Sequence, residues 1–151
     1  MTQTISLRER RLSVAGVRPL TTAKKRFTTA KILDVTESDV KKAVKDIVKG
    51  MAPNAYVFMP VQSGYGSPDL DFIITINGFD LRIETKVAPK KVTPRQMNTT
   101  ILMGPAGITV LWIDQTNLED VAVVVDLLLV GKQAEAFNIS AESRQEHLHG
   151  R

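Results

Sequence analysis

From Val40 onward the chain alternates between helical and strand-like periodicity. Val40, Ala43, Val44, Ile47, Val48 and Met51 recur at three- and four-residue spacing, the stripe of a helix laid on a core, with Lys41, Lys42, Lys45 and Lys49 on its other side. Thr36 and Asp39 mark its start as a capping box, and Gly50 and Pro53 close it. Tyr56 to Val61 is β-prone and leads into the turn-rich Gln62-Ser63-Gly64-Tyr65-Gly66-Ser67-Pro68. A hairpin follows. Leu70, Phe72, Ile74 and Ile76 alternate with Asp69, Asp71, Ile73 and Thr75; Asn77-Gly78 supplies a two-residue turn; then Phe79, Leu81, Ile83 and Val87 alternate with Asp80, Arg82, Glu84 and Lys86.

Thr93-Pro94-Arg95-Gln96 superimposes a capping box on a proline at the first helical position, so a second helix is predicted from there to about Met103, ending at Gly104-Pro105. Ile108 to Ile113 reads as a buried strand. Val121 to Val130 fits either a strand or a helix, and periodicity leaves both open. The predicted order, helix, strand, strand, strand, helix, strand, is an α/β layer arrangement with a mixed sheet. Flanking it, residues 1–31 read as a basic flexible arm with one short helix near Thr22 to Lys31, residues 32–137 as a single domain, and residues 138–151 as a frayed polar tail.

Charge changes this picture at the N-terminus. Residues 1–31 carry Arg8, Arg10, Arg11, Arg18, Lys24, Lys25, Arg26 and Lys31 against Glu9 alone, a charge of +7 in a chain whose net charge is +4. The remaining residues therefore sum to −3, and a basic arm on a near-neutral body suits a polyanion or, equally, a solvated tail. Cysteine is absent, which excludes disulfides, thiolate metal sites and a thiol nucleophile. The two histidines, His147 and His149, fall in the polar tail and read as solvated, so any metal would be held by carboxylates, which select hard cations such as Mg²⁺ or Mn²⁺. The longest apolar run is far short of the ~20 residues of a spanning helix, and Met1 to Arg11 has no signal-peptide core; a cytoplasmic protein with no membrane partner is expected.

The hairpin carries the candidate chemistry. With a two-residue turn, cross-strand partners have numbers summing to 155, which sets Asp69 opposite Lys86 and Asp71 opposite Glu84. Three carboxylates and a lysine then share one face, where a divalent ion would turn repulsion into coordination. Such an ion polarises a phosphoryl oxygen and acidifies a water, and the lysine orients that water or neutralises charge developing at phosphorus. The competing reading is an ordinary solvent-facing hairpin with weak surface ion pairs. Asp39-Val40-Lys41 repeats the acid-x-lysine spacing but is expected on a helix with no partner acid.

Gly66-Ser67-Pro68-Asp69, the hairpin, Ile83-Glu84-Thr85-Lys86 and Gln96 at a helix start resemble the VRR-type nuclease domain of the PD-(D/E)xK superfamily over roughly Glu37 to Asp114. The resemblance implies a restriction-endonuclease-like core of αβββαβ order and Mg²⁺-dependent, structure-selective DNA cleavage, including Holliday-junction resolution in small members, among which phage and viral proteins are typical. It makes Asp69 and Glu84 the metal-binding acids, the Thr85 carbonyl a further ligand and Lys86 the catalytic lysine. Gln96 resembles the polar residue of the second helix and Glu37 the acid of the first. Each also reads as a helix-start residue. Thr85 departs from the pattern, which has an apolar residue between acid and lysine. DNA contacts are expected from Arg8, Arg10, Arg11, Lys24, Lys25, Arg26, Lys90, Lys91 and Arg95, and paired cuts at a branched junction call for a homodimer. Rival readings are a nicking or end-processing nuclease of the same fold and a non-catalytic DNA-binding protein.

Overall fold

A computed structural model describes residues 5–14, 34–61 and 69–150. The expected helix near residues 22–31, the basic residues Arg18, Lys24, Lys25, Arg26 and Lys31, and the turn before Asp69 lie outside them. The elements are α1 (Leu7–Val14), α2 (Glu37–Met51), β1 (Tyr56–Phe58), β2 (Phe72–Ile76), β3 (Phe79–Thr85), α3 (Pro94–Met103), β4 (Thr109–Ile113), α4 (Leu118–Leu129) and α5 (Gln133–His149). The strands form one mixed sheet in the order β1-β2-β3-β4, with β1, β2 and β3 antiparallel in turn and β4 parallel to β3. No helix among the described residues is long and apolar enough to cross a membrane.

Local sequence explains where α2, α3 and the hairpin begin and turn. Thr36 and Asp39 form the capping box expected of α2, and Thr93 with Gln96 forms that of α3. Asn77 and Gly78 both adopt positive φ, 50° and 83°, as a primed two-residue turn requires; the glycine takes this backbone at no steric cost. The resulting register, from Phe72↔Ile83 to Ile76↔Phe79, is the one the turn dictates. Phe72, Ile74, Ile76, Leu81 and Ile83 are buried on the face that meets α2 and α4, whereas Leu70 joins Val92, Val110 and Trp112 in a second cluster on the other side. Phe79 and Val87, expected in the core, are only half-buried against it.

Of the run left open between helix and strand, Val121 to Leu129 lies in α4: Glu119 and Asp120 favour its first turn, and the helix is buried nearly all round, so its β-branched run is helical because the surroundings outweigh propensity. Three expectations need correction. Residues 138–149 of the expected frayed tail are helical, since α5 runs to His149 and buries a stripe of Ala136, Ile139, Ser140, Ser143 and His147. His147 is 2% exposed, stacked edge-on to Trp112 with its Nδ1 3.6 Å from Asp114, so it is not solvated. Finally, part of the basic arm is a docked helix: Leu7 is buried in the main core, and Arg11 reaches inward.

Arg11 donates to both oxygens of Asp120, Nε at 2.5 Å and Nη2 at 2.8 Å, and from Nη2 to Glu146 at 2.8 Å. Asp120 is fully buried and also accepts from the Ser143 hydroxyl at 2.6 Å, so one carboxylate ties α1, α4 and α5 together. The neighbouring Arg10 pairs with Glu135 of α5. A buried carboxylate stripped of its cation keeps the desolvation cost without the compensation. Arg11→Met should therefore destabilise the fold by about 3 kcal/mol, and adding Asp120→Asn should recover part of that loss. Denaturant unfolding of the two single variants and the double variant checks this.

A candidate active site on the hairpin

Glu84 lies in β3 between β2 and β4, and only 3% of it is exposed. Its Oε1 accepts from Lys86 Nζ at 2.6 Å and from Gln96 Nε2, so the E-x-K pair and the start of α3 converge on one carboxylate oxygen. Gln96 forms the expected cap, its Oε1 accepting from Thr93 N at 2.8 Å, while its amide nitrogen donates to Glu84. Trp112, paired with Glu84 across β3 and β4, donates from Nε1 to Thr100 Oγ1 at 3.1 Å, and Thr100 in turn donates to the Gln96 carbonyl. This seats α3 over the sheet. The chain beyond Lys86 is tied down by Lys86 N donating to the Ile113 carbonyl and by Gln115 accepting from Ala88 N at 2.9 Å.

The two aspartates before β2 have separate surroundings. Asp69 accepts from Leu70 N and lies 3.7 Å from Arg82 Nε; by strand alternation Arg82, Glu84 and Lys86 share a face, so Asp69 sits on the Glu84 side. It meets Arg82 rather than the Lys86 that extrapolated pairing predicted, because regular pairing of β2 begins only at Phe72. Asp71 accepts from Thr85 N at 2.9 Å and from the Thr85 hydroxyl at 2.6 Å, and its Oδ1 is 2.9 Å from Lys41 Nζ. Lys41 also pairs with Glu37 at 3.0 Å. The expectation that the Asp39-Val40-Lys41 match would find no partner acid is thus wrong: the loop entering β2 brings Asp71 to α2, a contact that no local spacing encodes. The expected polar face set Asp71 opposite Glu84, but its side chain instead meets Thr85 and Lys41 on the side of α2.

Burial pushes the Glu84 carboxyl above its ordinary value; the Lys86 hydrogen bond opposes this and the Asp71 charge adds to it. For Lys41, burial disfavours the charge, but its bonds to Asp71 and Glu37 outweigh that and raise it above the ordinary lysine value.

Among the described residues no group of three or more His, Asp or Glu is placed to hold a metal ion. The groups that the nuclease resemblance names are two carboxylates and a carbonyl, without histidine or thiolate. That set fits a hard, hydrated ion such as Mg²⁺, which takes one or two carboxylates and completes its shell with water and substrate phosphate. Glu84, Asp69 and the Thr85 carbonyl are the groups that would hold it.

Of the basic residues expected to meet DNA, Arg10 and Arg11 are spent on internal acids and Lys91 donates to the His147 carbonyl, whereas Arg8, Lys90 and Arg95 are exposed. No family model, no curated protein and no solved structure matches the chain.

Because the folded chain keeps the Glu84 proton to higher pH than the unfolded chain does, stability contributed by this group rises as pH falls through its folded value and levels off below the ordinary glutamate value. Side-chain carboxyl NMR should find Glu84 titrating above an exposed glutamate. Lys86→Met should move that midpoint further upward, since the group favouring the charged form has gone.

Proposed function

We propose that this chain is a Mg²⁺-dependent endonuclease with a restriction-endonuclease-like core, acting on branched DNA as a Holliday-junction resolvase. The observation that carries the reading is the buried Glu84 carboxylate, held between Lys86 and Gln96 at the centre of the sheet with Asp69 on the same side. A carboxylate is costly to bury, and a surface hairpin of stray ion pairs gives no reason to bury one. The order α2, β1, β2, β3, α3, β4 and the resemblance of Pro68-Asp69 and Glu84-Thr85-Lys86 to the nuclease motif support the same reading.

Bound Mg²⁺ supplies positive charge against the phosphodiester oxygens. The chain's own residues do the rest. Asp69 and Glu84 present the anionic oxygens; Gln96 fixes the direction of the Glu84 oxygen it binds. The Lys86 ammonium, 2.6 Å from Glu84, would orient the attacking water or offset charge developing at the scissile phosphate. Arg8, Lys90 and Arg95 provide exposed charge for the DNA backbone. A homodimer supplies the second active site that paired nicks require.

On a panel of labelled duplex, flap and four-way junction DNA, the wild-type protein should nick the junction symmetrically with Mg²⁺ or Mn²⁺ and lose activity with chelator. Asp69→Ala, Glu84→Ala and Lys86→Ala should each cut at least about 100-fold more slowly, the scale of removing one preorganised electrostatic group. Equal cutting of flap and junction would move the assignment to end processing, and Mg²⁺-indifferent binding without cleavage would refute it.

A further inference from the structure

Thr85 is a buried hydroxyl in apolar company. Fully inaccessible and paired with Ile113, it lies on the face that also carries Phe72, Ile83 and Leu118 to Leu128 of α4, so its hydroxyl needs a partner. That partner is Asp71. One carboxylate oxygen, Oδ2, accepts both the Thr85 hydroxyl at 2.6 Å and the Thr85 backbone N–H at 2.9 Å. Pairing between β2 and β3 starts at Phe72↔Ile83, so the Asp71 side chain offers Thr85 an acceptor beyond the last regular pair. From the other side Lys41, itself paired with Glu37, holds Oδ1 at 2.9 Å.

Asp71 thus holds Thr85, which Glu84 precedes and Lys86 follows directly in the chain. Fixing the backbone at Thr85 fixes the directions in which the side chains on either side of it leave the strand. We infer that Asp71 is a positioning residue: clamped by Lys41 of the first core helix, it locks Thr85 and thereby sets Glu84 and Lys86 in working geometry. The inference rests on the nuclease reading above and adds Asp71, Thr85 and Lys41 to it. Misplacement of reacting groups by about 1 Å can cost on the order of 100-fold in rate, so a clamp of this kind acts on turnover rather than on substrate binding.

The test compares the wild-type protein with Thr85→Val, Thr85→Ser and Asp71→Ala for junction cleavage, resolved into kcat and KM, and for amide hydrogen exchange at residues 84–86. Thr85→Val keeps the shape and removes only the hydroxyl, so it remains informative if Asp71→Ala fails to fold. The expected result is a fall in kcat of about 10- to 100-fold for Thr85→Val and Asp71→Ala with KM little changed, recovery of kcat by Thr85→Ser, and faster exchange of the Thr85 amide in Asp71→Ala. A Thr85→Val enzyme as active as wild type, or a rise in KM with kcat unchanged, overturns the clamp and leaves the nuclease reading standing. Absence of cleavage by the wild-type protein overturns the nuclease reading, and the positioning role falls with it.

Discussion

The turn at Asn77 and Gly78 decides what each side of the hairpin is for. With both residues at positive φ the connection is two residues long, and every pair from Phe72↔Ile83 to Ile76↔Phe79 is then determined. Side chains alternate across a strand, so a slip of β3 by one residue against β2 would turn Leu81 and Ile83 out of the core and set Arg82 and Glu84 in their place. In the observed register the apolar set meets α2 and α4, while Glu84 and Lys86 face α3. Core packing and the candidate chemistry are thus two faces of one constraint, and neither is adjustable without the other.

Burying Glu84 has a cost that the fold meets locally. The carboxylate has an ammonium and an amide on one oxygen, and its raised proton affinity records the part of the desolvation cost that these donors do not offset. Asp120, equally buried, is treated differently: a bidentate guanidinium and a serine hydroxyl surround it, and its contacts run between helices. One buried acid fastens helices together. The other joins β3 to the start of α3 through Lys86 and Gln96, and it is the carboxylate on which the proposed chemistry rests.

How much of this was readable from sequence depended on whether the signal was local. Helix α2, helix α3, the hairpin and β4 announce themselves through capping boxes, a two-residue turn and clean periodicity, all short-range effects. Helix α5 does not, because the stripe it buries is Ala136, Ile139, Ser140, Ser143 and His147, small and polar residues that a search for apolar spacing passes over. Their burial is licensed by distant partners, Asp120 for Ser143 and Asp114 and Trp112 for His147. The candidate site divides in the same way. Glu84, Lys86 and Gln96 lie in motifs and were legible, whereas the Lys41–Asp71–Thr85 contacts join segments separated by 30 and 14 positions and left no pattern in the chain.

The distribution of positive charge follows from the same economy. Read linearly, the N-terminal residues are a uniform basic arm, but folding divides them: Leu7 enters the core and takes Arg10 and Arg11 with it, where they neutralise Glu135, Asp120 and Glu146. Charge spent on an internal acid is not available to a phosphate, so the described basic residues that can meet a polyanion are those left outside. Arg8 remains on the outer side of α1, Lys42, Lys45 and Lys49 on the outer side of α2, and Lys90 and Arg95 on the loop and helix start that follow Lys86. The last two are closest in sequence to the candidate site. On the proposed function, the residues that would attract the polyanion and those that would act on it follow one another along a single stretch of chain.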